Sequence, residues 1–86
     1  MNINELTEIL KKKILFYKSI KKIHIEDKSF LHKNHKTKEI GKFHIKLKIE
    51  SEELKNKSKL DSNRFIYKVL EYELKNYIHS LQIEFI

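Results

Sequence analysis

The residues in this chain best suited to chemistry are its five histidines: His24, His32, His35, His44 and His79. A neutral imidazole is a metal ligand with two usable nitrogens. His32 and His35 fall in a polar stretch, where no packed backbone restricts their direction. His79 opens the last apolar segment and shares its parity with Leu81, Ile83 and Phe85. That spacing predicts a position at the core's edge, with the ring oriented by packing. One oriented imidazole and one loop imidazole make a half-site with two ligands. Such a half-site cannot close a tetrahedral zinc centre, and a second protein or a small thiol would have to complete it. The competing reading is a set of ordinary surface histidines in a lysine-rich chain, with His79 satisfied at the core edge.

The rest of the inventory excludes more than it offers. There is no Cys, so a disulfide framework, a Cys-based zinc site and a thiol nucleophile are all ruled out. The sequence holds no G-x-S-x-G, no H-E-x-x-H and no phosphate loop. With a single glycine, Gly41, no Gly-rich cradle can be built, and neither can the G-x-x-G clamp of RNA-binding KH domains. Glu52 and Glu53 sit among lysines and read as solvated surface. A small domain without a nucleophile or pocket motif is expected to bind and not to catalyse.

The positioning elements follow from hydrophobic periodicity. Leu6, Ile9, Leu10, Ile14 and Tyr17 recur at helical spacing, with Asn4 as the expected cap and Glu5 and Glu8 in the first turns. Lys11, Lys12 and Lys13 suit the later turns as a solvated face. Ile23 to Asp27 alternates as a strand. Residues 28–42 form a polar connection longer than a tight hairpin needs. Phe43 to Glu50 is the clearest strand: Phe43, Ile45, Leu47 and Ile49 face one way, and His44, Lys46, Lys48 and Glu50 face the other. His44 should therefore point toward the wet face, unless strand-end twist brings it round.

Ser51 caps a short helical turn, Asn56 and Ser58 suit a bend, and Asp61 or Ser62 should cap a second long helix. The buried stripe of that helix is Ile66, Val69, Leu70, Leu74 and Tyr77, with Phe65 alongside, and its end falls near Asn76, which tolerates left-handed dihedrals. Residues 78–86 read as a last strand. The expected fold is α+β, a single domain over 1–86 in the order helix, strand, strand, short helix, helix, strand. Its mixed three-stranded sheet is covered on one face by helices.

The 86 residues carry 19 Lys and Arg against 12 Asp and Glu, a formal net charge of +7. A basic balance favours acidic partners, whether nucleic acid or an acidic protein face. Lys55, Lys57, Lys59 and Arg64 gather around the start of the second long helix, where a phosphate could also meet the helix N-terminus. No base-reading motif accompanies them. The longest apolar run, Ile14 to Tyr17, is far short of the roughly 20 residues of a membrane span. No secretory signal is visible at the N-terminus. A soluble, cytoplasmic protein without membrane contact is the expectation, with the mitochondrion as the alternative compartment if the source is eukaryotic.

Four stretches carry a resemblance to the BolA-like proteins over nearly the whole chain. Asp27-Lys28-Ser29-Phe30-Leu31-His32 resembles the family's acidic-Ser-x-x-His loop start. Gly41 to Leu47, through Phe43-His44-Ile45, resembles its Ser-His-Phe strand start. Leu54 to Leu60 with Arg64, Ile66 and Tyr67 resembles F-x-G-x-S-x-L-x-R-H-R-x-V-Y without gaps. Leu74 and Ile78-His79-Ser80-Leu81 resemble the closing E-L-x-x-x-I-H-A-L. The sequence departs from the pattern at Asn56 for the segment's glycine, Ser62 for its first Arg and Asn63 for its central His. Its loop is also longer, adding Lys33, His35, Lys36 and Lys38.

The resemblance implies a KH-like fold in the element order read above. It implies a monothiol glutaredoxin as partner, sharing a [2Fe–2S] cluster to which the glutaredoxin Cys and glutathione give thiolates. The BolA side gives imidazole and, in some members, a loop Cys. Lacking that Cys, this chain would be the histidine-loop type, with mixed thiolate and imidazole ligation. His79 ranks first as ligand by its motif. His32 ranks narrowly above His44 for the second position, His35 comes third, and His24 reads as strand surface. Some family members are described as transcriptional regulators, so DNA binding through Lys55, Lys57, Lys59 and Arg64 is the alternative. A homodimer is compatible with either.

Overall fold

The computed structural model describes residues 1–29 and 42–86. His32, His35, Lys33, Lys36 and Lys38 lie outside the described residues. The elements run α1 (Ile3–Leu15), β1 (Lys22–Asp27), β2 (Phe43–Glu50), α2 (Glu52–Asn56), α3 (Lys59–Val69), α4 (Glu71–Asn76) and β3 (Ile78–Phe85). No helix among the described residues is long and apolar enough to cross a membrane.

The strand order is β1-β2-β3, with β2 antiparallel to β1 and parallel to β3. A hairpin links the first pair, while a parallel partner needs a crossover, which the helices α2 to α4 supply. The alternation of β2 sets the layering. Ile45, Leu47 and Ile49 are buried beneath Leu6, Leu10 and Ile14 of α1 and Ile66 of α3, with Leu70 closing the core beyond that helix. Lys46 and Lys48 lie on the opposite, wetter face, as the alternation predicts.

Helix ends account for most departures from expectation. Asn2, not Asn4, caps α1: its Oδ1 accepts from the Glu5 amide at 2.8 Å while its Nδ2 donates to Glu5 Oε1 at 3.0 Å. The helix starts two residues earlier because Ile3 already packs on the core. Tyr17 lies beyond the helix, in the following turn, with its ring edge-on to Phe65 at 5.0 Å. Ser51 caps α2 as expected, its Oγ accepting from the Leu54 amide at 3.2 Å. Ser58 caps α3 instead of Asp61 or Ser62, accepting from the Asp61 amide at 3.1 Å.

Ser62 is fully buried, and its hydroxyl donates to the Leu54 carbonyl at 2.5 Å, tying α3 back to α2. The second long helix breaks at Leu70 into α3 and α4, although the Leu74 amide still reaches the Leu70 carbonyl at 2.8 Å. It ends at Asn76 without a left-handed residue. The cap, Tyr77, has φ −129°, and Asn76 Nδ2 donates to the Tyr72 carbonyl at 2.8 Å. Lys13 Nζ meets the buried Glu73 carboxylate at 2.7 Å and joins α1 to α4.

Ser62→Ala removes the only side-chain donor to the Leu54 carbonyl among the described residues, at a dry position. A buried carbonyl that loses its partner costs about 1–3 kcal/mol. The variant is expected to show a lower urea midpoint with an unchanged slope. A midpoint equal to that of the parent would contradict the role given to this bond.

Candidate metal centre

The candidate site forms where α4 hands over to β3, at the N-terminal end of β2. The Phe43 amide donates to the Tyr77 carbonyl at 2.9 Å, so β2 is anchored to the last residue before β3. Register then runs Phe43↔Ile78 but His44↔Ser80, so His79 is an extra residue on β3. Such a bulge re-aims the side chain it inserts. Ile78 stays buried at 3% exposure, whereas His79 is exposed. The expected parity of His79 with Leu81, Ile83 and Phe85 is therefore wrong. Those three do pack on the core, and the bulge takes His79 out of their row. The sequence carried the signal: Ile78 and Leu81 are three apart, and both can face inward on a strand only if one residue is inserted between them.

The same shift places His44 beside His79. Their ring centroids are 4.8 Å apart, with planes inclined at 71°. His44 Nδ1 lies 2.7 Å from Ser80 Oγ, and either group can donate, depending on the imidazole tautomer. The backbone of His44 is held on both sides. Its carbonyl accepts from the Lys28 amide at 2.7 Å, and its own amide donates to Ser29 Oγ at 3.1 Å. Ser29 is in turn set by its own backbone amide, which donates to Asp27 Oδ1 at 2.9 Å. Ser29 and Ser80 were not among the residues expected at the site. Their adjacency to the loop start and to His79 was the available hint.

Of the sequence candidates, the fold thus brings His79 and His44 together. His32 and His35 lie outside the described residues. His24 lies apart on the wet face, 3.6 Å from Glu26, with its side chain 68% exposed. Among the described residues no group of three or more His, Cys, Asp or Glu could hold a metal ion. Lys55, Lys57 and Lys59 line a groove beside Ile83 and Phe85, and Lys57 also lies 3.6 Å from Glu53. Arg64 is exposed further along α3 and does not line that groove.

Lysines on the wet face act on one carboxylate. Glu26 accepts from Lys28 Nζ at 2.9 Å and lies 3.7 Å from Lys48 Nζ. The Lys28 hydrogen bond holds its carboxyl below the usual value of 4.5; desolvation opposes this, and the charges of Lys28, Lys48 and Lys46 add to it. Lys28 therefore fastens His44 through its backbone and Glu26 through its side chain.

Residues 17–86 match the family described as BolA-like protein. The BolA domain of SufE1 from Arabidopsis thaliana superposes with a TM-score of 0.74 at 26% identity, covering 99% of this chain and 92% of that one. BolA1 from Arabidopsis thaliana gives a TM-score of 0.71 at 24% identity, covering 91% and 86%. No curated protein sequence matches. The chain belongs to the BolA-like protein family. The matched segment begins after α1, while the first structural neighbour extends over α1 as well.

A carboxyl with a depressed folded value contributes stability above its unfolded value and loses it as pH falls through the folded one. Lys28→Gln is expected to raise the Glu26 midpoint toward 4.5 in a carboxyl NMR titration. A midpoint unmoved by the substitution would show that Lys28 is not the cause.

Proposed function

We propose that this BolA-like protein partners a monothiol glutaredoxin and shares a [2Fe–2S] cluster with it, in iron–sulfur cluster trafficking or iron and redox signalling. The carrying observation is the pair His44 and His79, 4.8 Å apart at a rim where His79 is exposed. Two imidazoles bound to one ion at about 2.1 Å stand at about this centroid spacing. The donor set fits a shared group and not a private one. Iron–sulfur clusters of this type take four ligands, and the described residues bring two imidazoles and no third metal ligand. With no Cys in the chain, every thiolate must come from the partner and from glutathione.

When bound, the cluster would supply one-electron redox chemistry at a potential raised by imidazole ligation. The chain's own residues supply direction. With Nδ1–H donated to Ser80 Oγ, the lone pair of His44 lies on Nε2. Ligating histidines commonly show this arrangement, in which the second nitrogen's bond fixes the tautomer and the ring. Ser29 and Lys28 keep the start of β2 from shifting under the ring. His32 is the rival for the second ligand position. The protein's role is binding and not turnover.

The nucleic-acid reading has less behind it. The α3 N-terminus that would meet a phosphate already has its Asp61 amide bonded to Ser58, and Arg64 stands away from the lysine groove. Phosphate binding would appear as affinity falling steeply with salt, with a log–log slope near −0.9 per contact.

Mixing the chain with a cluster-loaded monothiol glutaredoxin is expected to change its visible circular dichroism. His79→Ala should abolish that change, and comparing His44→Ala with His32→Ala identifies the second ligand. A spectrum untouched by His79→Ala would overturn the ligand assignment. In the chain alone, nitrogen-15 NMR should find His44 mainly as the Nδ1–H tautomer, moving toward Nε2–H in Ser80→Ala. A dominant Nε2–H form in the parent would contradict ligation through Nε2.

A further inference from the structure

The outer edge of β3 forms a second candidate surface, at the other end of the strand from the histidine pair. β3 lies at one side of the sheet, and among the described residues no strand pairs with its outer side. Its backbone direction can be worked out from two bonds. The Ile86 amide donates inward to the Ile49 carbonyl at 2.9 Å. Alternation along a strand then turns the amides and carbonyls of Leu81, Ile83 and Phe85 outward. Tyr67 agrees with this, since its hydroxyl reaches the Leu81 carbonyl from outside at 3.4 Å.

A groove follows this edge. Lys59, Asn63 and Tyr67, spaced one helical turn apart on α3, face residues 81–84 across a cavity of about 440 Å³. A second recess continues it past Ile83, Glu84 and Phe85, bordered by Lys55, Lys57 and Lys59, with the Glu84 carboxylate offset by Lys46 Nζ at 4.0 Å. Asn63 has a buried Oδ1 with no hydrogen-bond partner, an acceptor in want of an N–H. Lys55 and Lys59 are exposed and make no ion pair among the described residues.

We propose that this edge docks an extended acidic segment of a partner protein as an added strand of the sheet. An extended polypeptide presents the alternating donors and acceptors that an open strand edge requires, and adjacent grooves supply selectivity. The lysine border selects for acidic side chains and disfavours a second copy of this chain, which would bring its own lysines to the same edge. A DNA backbone, unlike an RNA backbone with its 2′-hydroxyls, carries acceptors only. It leaves the outward carbonyls of Ile83 and Phe85, and Asn63 Oδ1, without donors.

The test uses the full chain and a short fluorescein-labelled peptide that alternates valine and glutamate. Anisotropy should show saturable binding, and hydrogen exchange at the Ile83 and Phe85 amides should slow. N-methylation of the peptide at alternate positions should abolish binding in one register and spare it in the other. Lys55→Glu with Lys59→Glu should weaken it by at least on the order of tenfold, while His79→Ala leaves it intact. Absent binding, equal binding of both methylated peptides, or displacement by oligothymidylate with unchanged exchange at Ile83 would each overturn the proposal.

Discussion

One inserted residue sets the geometry on which the candidate site depends. Side chains on a strand alternate strictly, so a slip of one position exchanges its two faces. Ile78 on one side of His79, and Leu81, Ile83 and Phe85 on the other, all pack on the core. No unbroken strand satisfies both sets. The extra residue between Phe43↔Ile78 and His44↔Ser80 resolves the conflict, and it is His79 that leaves the row. The side chain released from the core is thus an imidazole, and the pairing partner it reaches is another.

The surroundings hold that arrangement from three directions. From below, Ile78 is buried and the Tyr77 carbonyl takes the Phe43 amide, so the two parallel strands begin in a fixed relation. From the side, Lys28 and Ser29 clasp the backbone of His44 before the chain departs from β1. From behind, α4 delivers β3 to its place and is itself tied to α1 by Lys13 and the buried Glu73. Wet-face charges join this frame through Lys28, which also serves Glu26. A rim built on short, mutually bonded segments of three elements can be exposed without being loose.

Much of the fold was legible because it rests on periodicity. The alternation of Phe43 to Glu50 and the helical stripes through Leu10 and Ile66 specify elements and faces directly. Caps were less legible. Several Ser and Asn residues compete near each helix start, and tertiary packing of Ile3 and burial of Ser62 decide between them. The candidate site was half legible. His79 stood out by its neighbours in sequence, but its closeness to His44 is a register property, and register joins residues 35 positions apart that no local pattern connects. The site roles of Ser29 and Ser80 were illegible for the same reason, since their value lies in what the sheet sets beside them.

That His44 and His79 act together as ligands is tested most directly by pulsed electron paramagnetic resonance. The sample is the reduced complex with a cluster-loaded monothiol glutaredoxin, in which only this chain carries nitrogen-15 histidine. Two distinct imidazole nitrogen couplings are expected, with one lost in His79→Ala and the other in His44→Ala. A spectrum without nitrogen-15 coupling, or one in which both couplings survive the loss of His79, would contradict it.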